Sequence, residues 1–458
     1  MRTFDAIVVG GGQAGPALAG RLTQSGMTVA LIERKLLGGT CVNYGCMPTK
    51  TLVASARAAH VARTAGAYGV TIQGDIGIDM GTVKARADTV IHDARKGLYD
   101  WVGSMERLTF IEGHARFTGS HEIAVNDAVL TAPRIFLNVG GRPAIPDIEG
   151  LDRIDYLTST TILALETVPR HLAILGGSYI ALEFAQMYRR FGAEVTIIER
   201  GDRLASREDE DISAAIEAIL IADGIAVKKG SRQVTVDRRG DDIAISIDGK
   251  VDIFASHLLV ATGRTPNTSD LGLDTAGIAT DRRGFITVDD RLSTTVDGVW
   301  ALGDCNGRGA FTHTSYNDFE IVAANLLDGA DRKVSDRITA YALYIDPPLG
   351  RVGMTEKEAR ATGRPIVVSS RPMSRVGRAV EKGETSGFMK AVADAETLEI
   401  LGAAILGVEG DEAIHGILDM MNAKVPYPVL QWAVPIHPTV SELIPTLMGS
   451  FRQPSEQS

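Results

Sequence analysis

Asp5-Ala6-Ile7-Val8-Val9-Gly10-Gly11-Gly12-Gln13-Ala14-Gly15 decides the fold. Asp5 to Val9 reads as a short apolar strand, and Gly10 to Gly15 spells GxGxxG. A helical pattern runs on through Ser25, and Thr28 to Ile32 is a second strand that ends at Glu33. Strand, glycine turn, helix, strand and acid together make the mononucleotide-binding half of a doubly wound α/β fold. Gly10 permits the tight turn, Gly12 lets backbone approach a pyrophosphate, and Gly15 lets the helix pack closely on the strand. The phosphates would rest on the helix N-terminus, and Glu33 would accept a hydrogen bond from a ribose hydroxyl.

The same pattern recurs downstream. Leu172 to Leu175 is a strand, Gly176-Gly177-Ser178-Tyr179-Ile180-Ala181 the turn, and a helix runs to about Phe191. Glu194 to Ile198 is the next strand and ends at Glu199. Glu33 follows Gly15 by 18 residues, and Glu199 follows Ala181 by 18. Ser178 and Ala181 stand where the first unit has Gly12 and Gly15, so the second turn is the looser one. Two dinucleotide sites in one chain are explained by one tightly held flavin and one exchangeable nicotinamide. Glu199 accepts a ribose 2′-hydroxyl and repels a 2′-phosphate, which slightly favours NADH. Arg200 and Arg203 follow it and could accommodate the phosphate.

Between and after these units the texture changes twice. Residues 108–139 and 225–262 read as short strands, ending in IFLNVGGRP and LLVATGRTPN. Each of these glycine-arginine-proline endings looks like the chain crossing between domains. Val299 to Asp304 reads as a buried strand with an acid at its end. After Asp336, two Pro-rich turns bracket alternating strands and a helix near Gly410 to Ala423. The expectation is an α/β chain with two Rossmann-like three-layer dinucleotide-binding domains and a C-terminal α+β domain.

Gly38-Gly39-Thr40-Cys41-Val42-Asn43-Tyr44-Gly45-Cys46-Met47-Pro48-Thr49-Lys50 carries the chemistry. Pro48 begins a helix through about Ala62, since Pro is favoured in a first turn, and this puts Cys46 at a helix N-terminus. There the dipole and free N–H groups lower a thiol pKa, and the thiolate is the nucleophile and electron donor. A bridge between Cys41 and Cys46 would close a short loop that opens without unfolding anything, as a redox-active disulfide does. The competing readings are a metal site and two buried free thiols. The metal site is disfavoured because no second CxxC or nearby His completes a ligand set.

Composition sets the outer limits. Among 458 residues, 45 % are apolar and 23 % charged, enough to build sizeable cores. A net charge of −10 gives no electrostatic footprint for nucleic acid. No apolar run is long enough to span a bilayer, and the N-terminus does not read as a secretory signal. A cytoplasmic protein without membrane or nucleic-acid partners is expected. Three cysteines do not make a secreted disulfide framework.

GGTCVNYGCMPTK resembles the active-site signature of the class I flavoprotein disulfide reductases, and the likeness extends over essentially the whole chain. It implies FAD on residues 1–145 with 265–335, NAD(P)H on residues 146–264, and dimerisation through residues 336–458. Cys41 would be the interchange thiol that attacks substrate, and Cys46 the charge-transfer thiol against the flavin. Lys50 would sit near flavin N5, paired with Glu183. Tyr179 would swing over the flavin until nicotinamide arrives. Thr40, Gly140 and Asp304 would join the FAD site and Gly263 the NAD(P)H site. Ile436 to Glu442 matches the family's HPTxSE motif, so His437 would be the acid/base for the thiols and Glu442 would orient it. In this family the pair comes from the other subunit, which makes the active enzyme a homodimer with a shared site. Cys305 reads as a small buried filler, and His313 and His415 as structural.

Within the family, GGTC-x-N-x-GC-x-PTKTL, REDxDI (Arg207 to Ile212) and PPL-x-RVGMTE (Pro347 to Glu356) most resemble a bacterial mercuric-reductase-like group that includes hypothiocyanous acid reductases. The expected activity passes electrons from NAD(P)H through FAD to Cys41–Cys46 and on to a small disulfide or thiol oxidant, in the service of cell redox homeostasis. The alternatives are a mercuric ion reductase-like or dihydrolipoamide dehydrogenase-like enzyme and, outside catalysis, a nucleotide-binding redox sensor. Mercuric reduction is disfavoured because LMGSFRQPSEQS lacks a cysteine pair to receive the metal ion.

Overall fold

The structure, a computed structural model, describes residues 1–451. The last seven residues assigned to the dimerisation region lie outside the described residues. Two five-stranded parallel sheets dominate. The first has the order Val299–Ala301, Ile135–Leu137, Ala6–Val9, Val29–Glu33, Leu108–Glu112. The second has the order Leu157–Thr158, His257–Val260, His171–Leu175, Glu194–Ile198, Ala226–Lys228. Their central strands are unbroken apolar runs, as strands covered on both faces must be; every residue of Ala6–Val9 is buried. Helices Ala14–Gln24 and Tyr179–Phe191 start directly from the two glycine turns.

Small sheets flank each unit: a mixed one of Arg2–Thr3, Ala128–Thr131, Glu122–Val125 and Arg116–Gly119 by the first, with Arg2–Thr3 parallel to its neighbour, and an antiparallel one over residues 234–255 by the second. The two crossing segments meet, since Gly141–Pro143 pairs antiparallel with Arg264–Pro266. The chain thus leaves the first unit and returns to it at one place. The third region is a five-stranded antiparallel sheet with the order Ala340–Leu343, Leu349–Gly353, Ile400–Leu406, Phe388–Asp394, Ile366–Pro372. Its Leu343, Leu349 and Leu406 share one core with Phe184 and Tyr188 of the second fingerprint helix and Leu52 of the cysteine helix.

Local structure departs from the sequence reading at four places. The cysteine helix begins at Cys46, two residues before Pro48, and runs to Thr64. The segment between the cysteines is a helical turn, Gly39–Tyr44, and not a loop; Gly45 breaks it from the next helix. The helix expected near Gly410 to Ala423 is two pieces, Gly410–Ala413 and His415–Asn422. Met80–Gly103 is a 24-residue helix that the sequence reading did not separate, N-capped by Asp79, whose carboxylate accepts from the Thr82 amide.

Candidate active site

The two glycine turns are built alike. Gly10 has φ +108° and Gly176 φ +114°. A Cβ on Gly10 would lie 2.2 Å from the Asn138 carbonyl oxygen, and one on Gly176 2.5 Å from that of Ala261. Only glycine fits both the conformation and the approach. Gly15 packs against the turn it follows, where a Cβ would sit 2.0 Å from the Gly10 oxygen. At the second turn Ala181 takes this place, fully buried, and Ser178 is the extended residue before the helix. Each acid lies against its own turn, Glu199 Oε2 within 2.8 Å of where a Cβ on Gly177 would stand. Glu33 Oε2 accepts from the Gly11 amide at 2.7 Å and Oε1 from Lys35 at 2.8 Å. Glu199 accepts from Gly201 at 2.5 Å. Bare backbone around Gly12, a helix N-terminus and an acid at the strand end fit the pyrophosphate and ribose of a dinucleotide at each turn.

Sequence reasoning missed Asn138. It is buried, accepts from the Gly15 amide at 3.1 Å, and donates to Leu302 O at 3.0 Å. It stitches the fingerprint helix to the Ala301–Leu302 end of the sheet. The segment IFLNVGGRP reads as a crossing, and nothing in its pattern marks the asparagine as a brace. Just beyond that sheet end, Asp304 lies in a single turn and meets Arg264 at 3.3 Å. Gly140 and Gly263 stand immediately before the paired strands Gly141–Pro143 and Arg264–Pro266. Cys305 is fully buried, its thiol donates to the carbonyls of Leu302 and Leu137, and burial pushes its pKa up to about 12. That is the filler role expected.

Cys41 is half-buried and Cys46 exposed, and each perturbs the other's thiol. Thr40 is exposed beside Cys41. Cys46 is the first residue of its helix. Its pKa falls to about 5, mainly because the Cys41 S–H donates to it, helped by Thr312 and the positive charge of Lys50 and opposed by burial. Cys41 moves the other way, its proton held by the hydrogen bond to Cys46 and by burial. The surroundings thus favour the charged form at Cys46 and the protonated form at Cys41. Thr312 Oγ1 lies 3.3 Å from Cys46 Sγ, arriving from the start of the distant helix Thr312–Leu327. It is the second contact the sequence reading lacked.

One turn beyond Cys46, Lys50 Nζ pairs with Glu183 Oε2 at 2.7 Å. Glu183 is buried, and its other oxygen accepts from the Tyr344 amide at 3.0 Å. Lys50 also stands over the Tyr344 ring, 4.6 Å from its centroid. The pair is no solvated surface bridge: it ties the cysteine helix to the second fingerprint helix. Tyr179, at the start of that helix, turns its hydroxyl to Glu208 and packs 5.5 Å from Tyr341. Arg203 is engaged with Glu210 at 3.3 Å, whereas Arg200 is exposed. His437 bonds Glu442 through Nδ1 at 2.9 Å. The imidazole is 78 % exposed and, among the described residues, makes no hydrogen bond to either cysteine of its own chain. Trp432, Val434 and Ile436 beside it are 79, 96 and 79 % exposed. His415 makes no side-chain hydrogen bond among the described residues, and His313 bonds the Ala340 carbonyl at 2.7 Å.

Residues 4–318 match the family described as pyridine nucleotide-disulphide oxidoreductase, and residues 339–448 match its dimerisation domain. RclA of Escherichia coli (strain K12) is 35 % identical over 98 % of this chain and 99 % of its own length. The solved structure described as HOCl-induced flavoprotein disulfide reductase RclA superposes with a TM-score of 0.89, covering 97 % of this chain and 99 % of that one. Mercuric reductase of Lysinibacillus sphaericus is 32 % identical over 90 % of this chain and 76 % of its own length. Dihydrolipoyl dehydrogenase of Chlamydia muridarum is 31 % identical over 96 and 95 %. No helix among the described residues is long and apolar enough to cross a membrane. Twin glycine turns, a cysteine pair at a helix N-terminus and a dimerisation domain agree with these likenesses throughout, and the chain belongs to the pyridine nucleotide-disulphide oxidoreductases, as an FAD- and NAD(P)H-using oxidoreductase of the flavoprotein disulfide reductase kind.

Proposed function

We propose that the enzyme reduces a small disulfide or a thiol-type oxidant such as hypothiocyanous acid at the Cys41–Cys46 pair. The observation that carries this reading is the placement of the two thiols: Cys46 opens its helix with Thr312 Oγ1 at 3.3 Å and the Lys50–Glu183 pair one turn on, and Cys41 lies in the helical turn just before it. FAD, held at Gly10, Gly12, Gly15, Glu33, Thr40, Gly140 and Asp304, supplies the route by which two electrons from NAD(P)H reach the disulfide form of the pair. NAD(P)H takes the second turn, at Gly176, Ser178, Tyr179, Ala181, Glu199, Arg200 and Gly263. On this reading residues 1–145 with 265–335 hold FAD, 146–264 hold NAD(P)H, and 336–458 dimerise.

Once a base removes its proton, Cys41 attacks one sulfur of R–S–S–R, forming Cys41–S–S–R and expelling RS⁻. Cys46 then attacks Cys41, which restores the intramolecular disulfide and expels the second RS⁻. Both departing thiolates need protons. The exposed His437, its tautomer fixed by Glu442, is the acid/base suited to that task, delivered to the cysteines of a second subunit. Lys50, paired with Glu183, holds positive charge one turn from Cys46.

Hg(II) is the weaker candidate. Cys305 is buried, and among the described residues no cluster of three or more His, Cys, Asp or Glu is placed to hold a metal ion. NADH is favoured over NADPH, because the Glu199 carboxylate lies beside Gly177 of its turn while Arg203 is committed to Glu210. A steady-state panel of hypothiocyanous acid, glutathione disulfide, lipoamide and Hg(II) tests the substrate class. Turnover of a thiol-type oxidant should exceed that of Hg(II) and collapse in His437→Ala. Efficient Hg(II) reduction that survives His437→Ala would reverse the ranking.

A further inference from the structure

Two sequence motifs that the redox chemistry does not use, REDxDI and PPL-x-RVGMTE, are folded against each other. Glu208 and Arg351 are 2 % and 1 % exposed. Glu208 Oε2 accepts from Arg351 Nε at 3.0 Å and Nη2 at 2.5 Å. Its other oxygen, Oε1, accepts two phenols, Tyr341 at 2.8 Å and Tyr179. Next door, Asp209 accepts from the Glu356 and Lys357 amides, and Lys390 joins Asp209, Asp211 and Glu356. The cluster pins the Glu208 loop to the antiparallel sheet.

Burial raises the pKa of both phenols, and the Glu208 charge raises them further, so both remain donors. The division of labour on the carboxylate is informative. Arg351 alone neutralises the buried charge. The phenols gather on the opposite oxygen, where each can leave without stranding it, because the other remains. A buried acceptor with two interchangeable donors lets one depart cheaply.

We propose that Glu208 is a positioning residue for Tyr179, a latch that sets the resting place of its ring and hence the ease with which nicotinamide reaches the second turn. This rests on the reading in which NAD(P)H binds at Gly176 to Ala181. Tyr341 is the stand-in donor that makes release cheap. Removing Tyr341's hydroxyl therefore tightens the latch, and removing Tyr179's abolishes it. The two losses have opposite signs, which a purely structural role does not produce.

The test is anaerobic stopped-flow reduction of the FAD-loaded dimer by subsaturating NADH or NADPH. Tyr341→Phe should slow flavin reduction about threefold to tenfold and raise KM for the nucleotide, with reoxidation of the dithiol by a disulfide unchanged. Tyr179→Phe should quicken flavin reduction, and the double variant should behave as Tyr179→Phe alone. Glu208→Gln should resemble Tyr179→Phe; if the unpaired Arg351 unfolds it, the two tyrosine variants carry the decision. An unaltered rate in Tyr341→Phe, or an effect of Tyr341→Phe that persists in the Tyr179→Phe background, overturns the latch. Wild-type enzyme that neither nucleotide reduces would instead overturn the reading of the second turn.

Discussion

Cys46 owes its character to a handful of atoms, and each can be removed singly. In reduced holoenzyme the thiolate should give a long-wavelength charge-transfer band with the flavin. Cys46→Ser should abolish that band with FAD still bound; Cys41→Ser should show it before any reductant is added. Identical spectra for the two variants would contradict the assigned roles. The band depends on the charged form, so its amplitude in reduced wild-type enzyme should fall as pH drops through about 5. Thr312→Val removes one donor to a partly solvated thiolate. The midpoint should rise by about half to one pH unit, and Thr312→Ser should restore it; an absorbance titration measures both. Much of this was legible in the sequence, because the placement of Cys46 follows from Pro48 and from a spacing of five. Thr312 was not, since it lies 266 residues away and only tertiary folding brings its hydroxyl to the sulfur. Asn138 and Glu208 were hidden for the same reason: a polar residue that braces distant backbone or a distant phenol leaves no periodic trace.

At the scale of elements, the nucleotide units were readable because glycines fixed by backbone contact cannot drift. Gly15→Ala would press a Cβ onto the Gly10 carbonyl. It should cost about 1–3 kcal/mol, seen as a lower Tm together with loss of bound flavin. Gly97 is the useful contrast, for it lies exposed inside the helix Met80–Gly103, where an added Cβ meets nothing within 4 Å. Gly97→Ala should stabilise by about 0.5–1 kcal/mol and leave flavin content unchanged. Equal effects of the two substitutions on flavin retention would deny the first turn its special packing. The same helix shows where pattern reading stops. Of its 24 residues only Met80, Ala87 and Val102 are buried, too sparse a stripe to announce itself. The helix near Gly410 failed in the opposite way: its apolar residues continue while the axis breaks at Ile414.

The whole molecule adds what no single chain contains. His437 stands exposed beside Trp432, Val434 and Ile436, on the region matched by the dimerisation domain. If it serves the cysteines of a partner, then mixing inactive His437→Ala with inactive Cys41→Ser should restore part of the activity on subunit exchange, since the hybrid dimer has one site with both residues intact. No recovery after verified exchange would place both residues in one subunit or remove His437 from the mechanism. The sequence displayed the motif but not the partner, because complementarity between surfaces is a property of shape and not of residue order. A different property of the whole follows from the pairing of Gly141–Pro143 with Arg264–Pro266. The amide of Ala144 bonds the carbonyl of Gly263 at 2.9 Å, so the entrance and exit of the second nucleotide unit are a single hydrogen bond apart. The host sheet is continuous without the unit, yet the two touching junctions are not its only moorings: Lys50–Glu183 fastens it to the cysteine helix and Glu208–Arg351 to the antiparallel sheet.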